Sequence, residues 1–303
     1  MITKMDPKVE ILPIPSVALG EGPHWDIATQ SLYLVDIMGS QLIRYDPKAN
    51  KAYIVKLDVP FASFIIPVEG SKGQFVVGSS IKLYLIKWDG SSDKVESVEL
   101  LHELIGESVA LRINDGKCDS KGRLYFGTMS IEDIFNKRNG KFYSYTKKEC
   151  CRELASGIGI SNGLAWEGNM MYYIDSLEQS VDGFDYNSNG SIENRRKIFD
   201  LKKNNMTCFP DGMTIDKDGK LWVACFEGSQ VLHVDPKTGK LLNKVPLPAA
   251  QITSVAWGGP NLEDLYVTSA NQYRDGVDHP NAGCTFRITG LSTSGLPMNE
   301  FKL

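Results

Sequence analysis

No run of about eighteen apolar residues occurs anywhere in the sequence, and the N-terminal MITKMDPKVE has no apolar segment behind its charges. The first absence argues against a membrane-spanning helix and the second predicts no secretory leader, so a cytoplasmic protein with no membrane partner is expected. C-x-x-C pairs are also missing. The six cysteines (Cys118, Cys150, Cys151, Cys208, Cys225, Cys284) are irregularly spaced, which argues against a zinc or thioredoxin-like site and predicts buried, reduced thiols. Basic residues gather only in short clusters, Arg195-Arg196-Lys197 and Lys202-Lys203, within a net charge of -4, so no nucleic-acid partner is expected. Histidine is scarce, at positions 24, 102, 233 and 279, and no G-x-S-x-G elbow is present, so catalysis through a serine nucleophile is not expected.

What the chain does contain is a repeat. Strands of alternating apolar and aromatic residues recur as LYLVD at 32, FVVGS at 75, LYFGT at 124, MYYID at 171, LWVAC at 221 and LYVTS at 265, spaced 43, 49, 47, 50 and 44 residues apart. Each follows a turn, Gly- or Asn-containing in all but the first, and is followed by a second strand-like run, such as QLIRYDP or QVLHVDP. A period of this length holds about four short strands, and no copy contains an amphipathic helix. The fold class predicted is all-β, a six-bladed β-propeller forming one closed domain over residues 1–303. A β-sandwich or a pair of small barrels would also alternate and turn, but neither requires six copies of one unit. The chain ends, around VEILPI and CTFRITGL, are expected to meet in the closing blade and so remove open sheet edges.

The stretch PDGMTIDKDGKLWVAC at 210–225 has two Asp-Gly pairs. The second, Asp218-Gly219, has the chemistry of a hairpin turn. The first therefore belongs at the start of the preceding strand, which in a propeller lines the central channel. Counting back about ten residues from each aligned strand gives Glu21, Ile65, Asn114, Asn162, Asp211 and Ser254, with Thr253 beside the last. Six equivalent strand ends meet at one mouth of one axis. Carboxylates gathered there would repel one another and lose solvation unless a cation joined them. Oxygen donors without His or Cys suit one hard divalent cation, Ca²⁺ first, with Mg²⁺, Mn²⁺ or Zn²⁺ as alternatives. Gly22, Gly163 and Gly212 follow three of these residues and are expected to let the backbone pass close to the ion or substrate.

GEGPHWD, RINDGKCDSKGRLYFGTM, ISNGLAWEGNMMYYIDS and PDGMTIDKDGKLWVACFEG resemble the motifs of the family containing senescence marker protein 30 (regucalcin), gluconolactonase and the firefly luciferin-regenerating enzyme. The likeness runs over essentially the whole chain. It implies a six-bladed propeller with one axial divalent metal held by Glu21, Asn162 and Asp211, with Asp211 also the catalytic base. It implies that Arg112, Asn114 and Glu132 bind substrate, with Asp115 close by, and that the loop SIEDIFNKRNG at 130–140 lids the pocket.

Such a set suits metal-assisted opening of a cyclic ester, with a sugar lactone as the small-molecule substrate and a monomer as the working unit. Two alternatives stand beside it. One is a relative of the luciferin-regenerating branch that hydrolyses a non-sugar substrate, and the other a calcium-binding regulatory propeller without catalysis.

Overall fold

The computed structural model describes residues 6–108, 110–273 and 275–303. Six four-stranded antiparallel sheets follow one another along the chain. The innermost strands are Gly20–Asp26, Phe64–Pro67, Leu111–Cys118, Ser161–Glu167, Phe209–Ile215 and Ile252–Gly258, which open blades 1 to 6 in that order. All six repeats recognised in the sequence are second strands of their blades. Blade 6 closes as expected from the chain ends. Its outermost strand is Lys8–Ile11, paired with Phe286–Thr289 in a register that sets Lys8 opposite Thr289.

The turn joining the first two strands of a blade has its own chemistry. In blade 5 the Asp216 carboxylate accepts the amides of Asp218 and Lys220, both at 2.9 Å, and Gly219 takes φ +71°. Asp119 repeats this in blade 3 and Asp26 accepts one such amide in blade 1. An aspartate that bonds the backbone two residues on makes a turn without help from the strands. A second aspartate works at the opposite end of the second strand. Asp36 accepts from Ala18 and Leu19, and Asp175 from Gly159 and Ile160, so the last letter of LYLVD and MYYID fixes the segment entering the inner strand.

Apolar side chains form six core clusters, each mixing residues of two adjacent blades. Tyr125, Phe142 and Tyr173, for example, join blades 3 and 4, and Trp222 and Trp257 join blades 5 and 6. Burying large side chains between blades, at about 25 cal/mol per Å² of apolar surface, holds the ring closed and leaves the axis to polar groups. Among the described residues no helix is long and apolar enough to cross a membrane.

Candidate active site

The inner strands do not run regularly past the mouth. The pairing of inner and second strands slips between Glu21 and His24, Ile113 and Gly116, Asn162 and Leu164, Pro210 and Met213, and Ile252 and Ser254. A bulge sets two residues against one and re-aims the side chains it carries. Five blades thus bend their inner strands at the positions singled out by the repeat. Blade 2 does not: Phe64–Pro67 pairs without interruption, and its residue at the equivalent place is the apolar Ile65.

The glycines of these motifs are hemmed in by the neighbouring blade. A β-carbon on Gly163 would stand 2.7 Å from that of Met213 and 2.8 Å from the Asp211 carbonyl oxygen, and one on Gly212 would collide with Ser254. They let neighbouring inner strands close on each other. Thr253 is likewise committed to the scaffold, its hydroxyl donating to the Gly20 carbonyl of blade 1 at 2.6 Å.

Glu21, Arg112, Asn114, Asp115, Asn162 and Asp211 are all buried. Three of them form a chain of contacts. Arg112 Nη1 donates to Asn114 Oδ1 at 2.6 Å and to the Ile113 carbonyl at 3.0 Å. Asn114 Nδ2 donates to Asn162 Oδ1 at 3.0 Å and to the Ser161 carbonyl at 2.8 Å. Asn162 Nδ2 donates to Ser176 Oγ at 2.8 Å, and that hydroxyl donates to the Pro210 carbonyl at 2.6 Å, next to Asp211. With its NH₂ fixed this way, Asn162 turns its carbonyl oxygen to Asn114 of blade 3.

The three carboxylates communicate through charge. Burial, reinforced by the charge of Asp115, pushes the Glu21 carboxyl up to about 8. Burial, then the charges of Glu21 and Asp115, hold Asp211 well above the ordinary carboxylate range. Asp115 is raised by burial, with Lys117 pulling the other way. Arg112 falls to about 10 through burial, against the pull of Glu21 and Asp211. Carboxyls raised together in one dry pocket are short of positive charge, and their all-oxygen donor set fits a hard dication. Among the described residues no three of His, Cys, Asp and Glu form a metal-binding group by themselves; Asn162 is the amide that the hydrogen-bond chain brings beside the strand end carrying Asp211.

Glu132 stands apart from this group. Its side chain is 67% exposed and paired with Lys137 at 3.0 Å on the loop that follows Ser130. That loop reaches over its neighbours: Arg138 lies 3.7 Å from Glu178 of blade 4, and the Phe135 ring meets Phe209 of blade 5 at 5.6 Å. One residue that the sequence reading passed over is Lys117, whose Nζ crosses from blade 3 to donate to the Met213 carbonyl of blade 5 at 2.7 Å. Its position in RINDGKC was visible, but strand alternation alone does not say that a bulge turns it inward.

Residues 19–271 match the SMP-30/gluconolactonase/LRE-like region. The chain belongs to the SMP-30/gluconolactonase/LRE-like family. Regucalcin of Gallus gallus is 36% identical over 306 residues, covering 97% of this chain and 98% of its own. Among solved structures, a luciferin-regenerating enzyme is 39% identical with a TM-score of 0.94, covering 98% of this chain and all of its own. A calcium-binding regucalcin from Agrobacterium tumefaciens superposes with a TM-score of 0.86 over 97% of both chains; at 22% identity that likeness concerns the fold alone. Family membership agrees with the resemblance carried by the four motifs.

Proposed function

We propose that the protein is a divalent-metal-dependent hydrolase that opens sugar lactones. The observation that carries this reading is the buried oxygen cradle of Glu21, Asn162 and Asp211 with the Arg112 guanidinium joined to it through Asn114. Those three residues would hold the cation, with Ca²⁺ preferred. When bound, a divalent cation supplies electrophilic polarisation of an ester carbonyl and makes a bound water more acidic.

The remaining work falls to the chain. Asp211 accepts a proton from the attacking water as its oxygen bonds to the carbonyl carbon. The ring carbon–oxygen bond then breaks, and the departing oxygen takes a proton to become a hydroxyl. Arg112 orients the substrate by hydrogen bonds to its oxygens, held in place through Nη1. Both amide hydrogens of Asn114 are committed to Ser161 and Asn162, so its part is to position Arg112 and the cation-facing Asn162. Asp115 shapes the charge of the pocket floor, and Glu132 would meet substrate at the rim on parting from Lys137.

Stripping with a chelator should abolish gluconolactone hydrolysis, and Ca²⁺, Zn²⁺, Mn²⁺ or Mg²⁺ should restore it; hydrolysis indifferent to stripping would overturn the reading. Asp211→Asn should lower kcat by about 10²-fold or more, and calorimetry should show Ca²⁺ binding weakened in the same variant.

A second reading keeps the hydrolase and changes the substrate to a non-sugar one. The rim favours it. Met38, Ile105, Ile131, Phe135 and Val277 are exposed on loops at the end of the blades from which the inner strands start, Ile105 at 94%. Apolar side chains gathered around an opening mark a binding surface. Comparing kcat/KM for gluconolactone with that for an aromatic lactone separates the two readings.

A further inference from the structure

Beside the strand that presents Asp211 lie two cysteines that the hydrolytic chemistry does not use. Cys208 ends the loop entering Phe209–Ile215, and Cys225 is the last residue but one of the neighbouring strand Leu221–Phe226, where it pairs with Pro210. Both are buried. Their β-carbons flank Gly228: the point where a β-carbon on that glycine would stand is 2.7 Å from Cys225 Cβ and 2.8 Å from Cys208 Cβ. Each thiol acts on the ionisation of the other, lowering that of Cys208 and raising that of Cys225. Gly228 sits between exposed Glu227 and Ser229, so the cover over Cys208 Sγ is a residue without a side chain. A small oxidant can approach there as a substituted residue would not allow, since a β-carbon at 228 would come within 3.1 Å of that sulfur.

We propose that Cys208 and Cys225 are a peroxide-reactive dithiol, and that its closure to a disulfide shifts the strand end that presents Asp211. The gap over Gly228 leads to Cys208 Sγ, and Cys225, acting against burial, lowers that thiol to about 7, so Cys208 supplies the nucleophile. Its sulfur attacks one oxygen of hydrogen peroxide. The oxygen–oxygen bond breaks, leaving Cys208 sulfenic acid and releasing the other oxygen as water once it gains a proton. Cys225 sulfur then attacks the sulfenic sulfur, the sulfur–sulfur bond forms, and the hydroxyl leaves as a second water with the Cys225 proton. Two thiols are oxidised and one peroxide is reduced. The new bond would tie the loop before Phe209 to the end of the partner strand, on either side of the register pair Phe209 and Phe226. The Pro210-to-Met213 bulge lies directly next to that tie.

The test uses the full chain, reduced, then treated with hydrogen peroxide, blocked with an alkylating reagent and mapped by mass spectrometry. A cross-linked peptide pair holding residues 208 and 225 is expected, lost in Cys208→Ser and in Cys225→Ser and reversed by dithiothreitol. Cys208→Ala and Cys225→Ala replace the serine variants if those fail to fold. Hydrogen exchange over 209–215, read in the same samples, should show loss of protection on oxidation in the wild type and none in the variants. Alkylation of both thiols after peroxide overturns the proposal, as does a cross-link that leaves exchange unchanged. Neither readout depends on metal binding or lactone hydrolysis, so failure of the hydrolase reading would appear separately.

Discussion

Lys117 commits its amine to a main-chain carbonyl of another blade, and burial lowers the pKa of that amine. Replacing it by methionine keeps the stem and leaves the Met213 carbonyl without its donor. An unsatisfied buried acceptor costs about 1–3 kcal/mol, so Lys117→Met should lower the urea midpoint by a corresponding amount. His24 predicts a pH dependence. Burial lowers its pKa from 6.5 to about 4, with Asp26 opposing and Lys117 adding to the shift. The unfolded chain takes up the proton first as pH falls. Stability from this residue is therefore complete above pH 6.5 and is lost progressively down to about 4, to a total of about 3 kcal/mol. The slope is read as the difference between wild type and His24→Gln in denaturant melts from pH 7 to 4, because the raised Glu21 and Asp211 carboxyls add the opposite slope to both proteins. At this scale the sequence was only partly legible. Acidic and amide residues could be assigned to the mouth because the repeat aligned them, whereas the reach of Lys117 and the Lys137 pairing of Glu132 depend on neighbours that one strand does not reveal.

At the scale of elements the decisive features are the five bulges. The turn residues that separate strands are local, so Asp216 to Gly219 could be read from DKDG without knowing the partner strand. A bulge is a relation between two strands, two residues counted against one, and the alternation of PDGMTID does not display it. The glycines of these motifs were visible, but their purpose depended on the next blade. Gly163→Ala tests this. The added methyl would press on Met213 and on the carbonyl of Asp211, and overpacking of this kind costs about 1–3 kcal/mol. Thermal melts should record the loss, and calorimetry should show weaker Ca²⁺ binding because the displaced carbonyl belongs to a cradle residue. Unchanged melting together with unchanged binding would mean that the strands have room to spare.

For the whole molecule, the ring was the most legible level, since six copies at nearly constant spacing leave few architectures. Its closure rests on Lys8–Ile11 lying against Phe286–Thr289, strengthened by Arg287 Nη2 to Glu10 Oε2 at 2.7 Å. Removing residues 1–11 would bare the edge of 286–289 and expose part of the cluster that contains Leu12 and Ile14. A melting point lower by several degrees and oligomers on gel filtration are expected, because an open strand edge recruits other chains. The same clasp governs how the protein is made. Its two halves are translated about 280 residues apart, on the order of half a minute at ordinary elongation rates. Lys8–Ile11 must therefore wait, unmated, until Phe286–Thr289 has been synthesised, and through that interval its edge is open to a stranger.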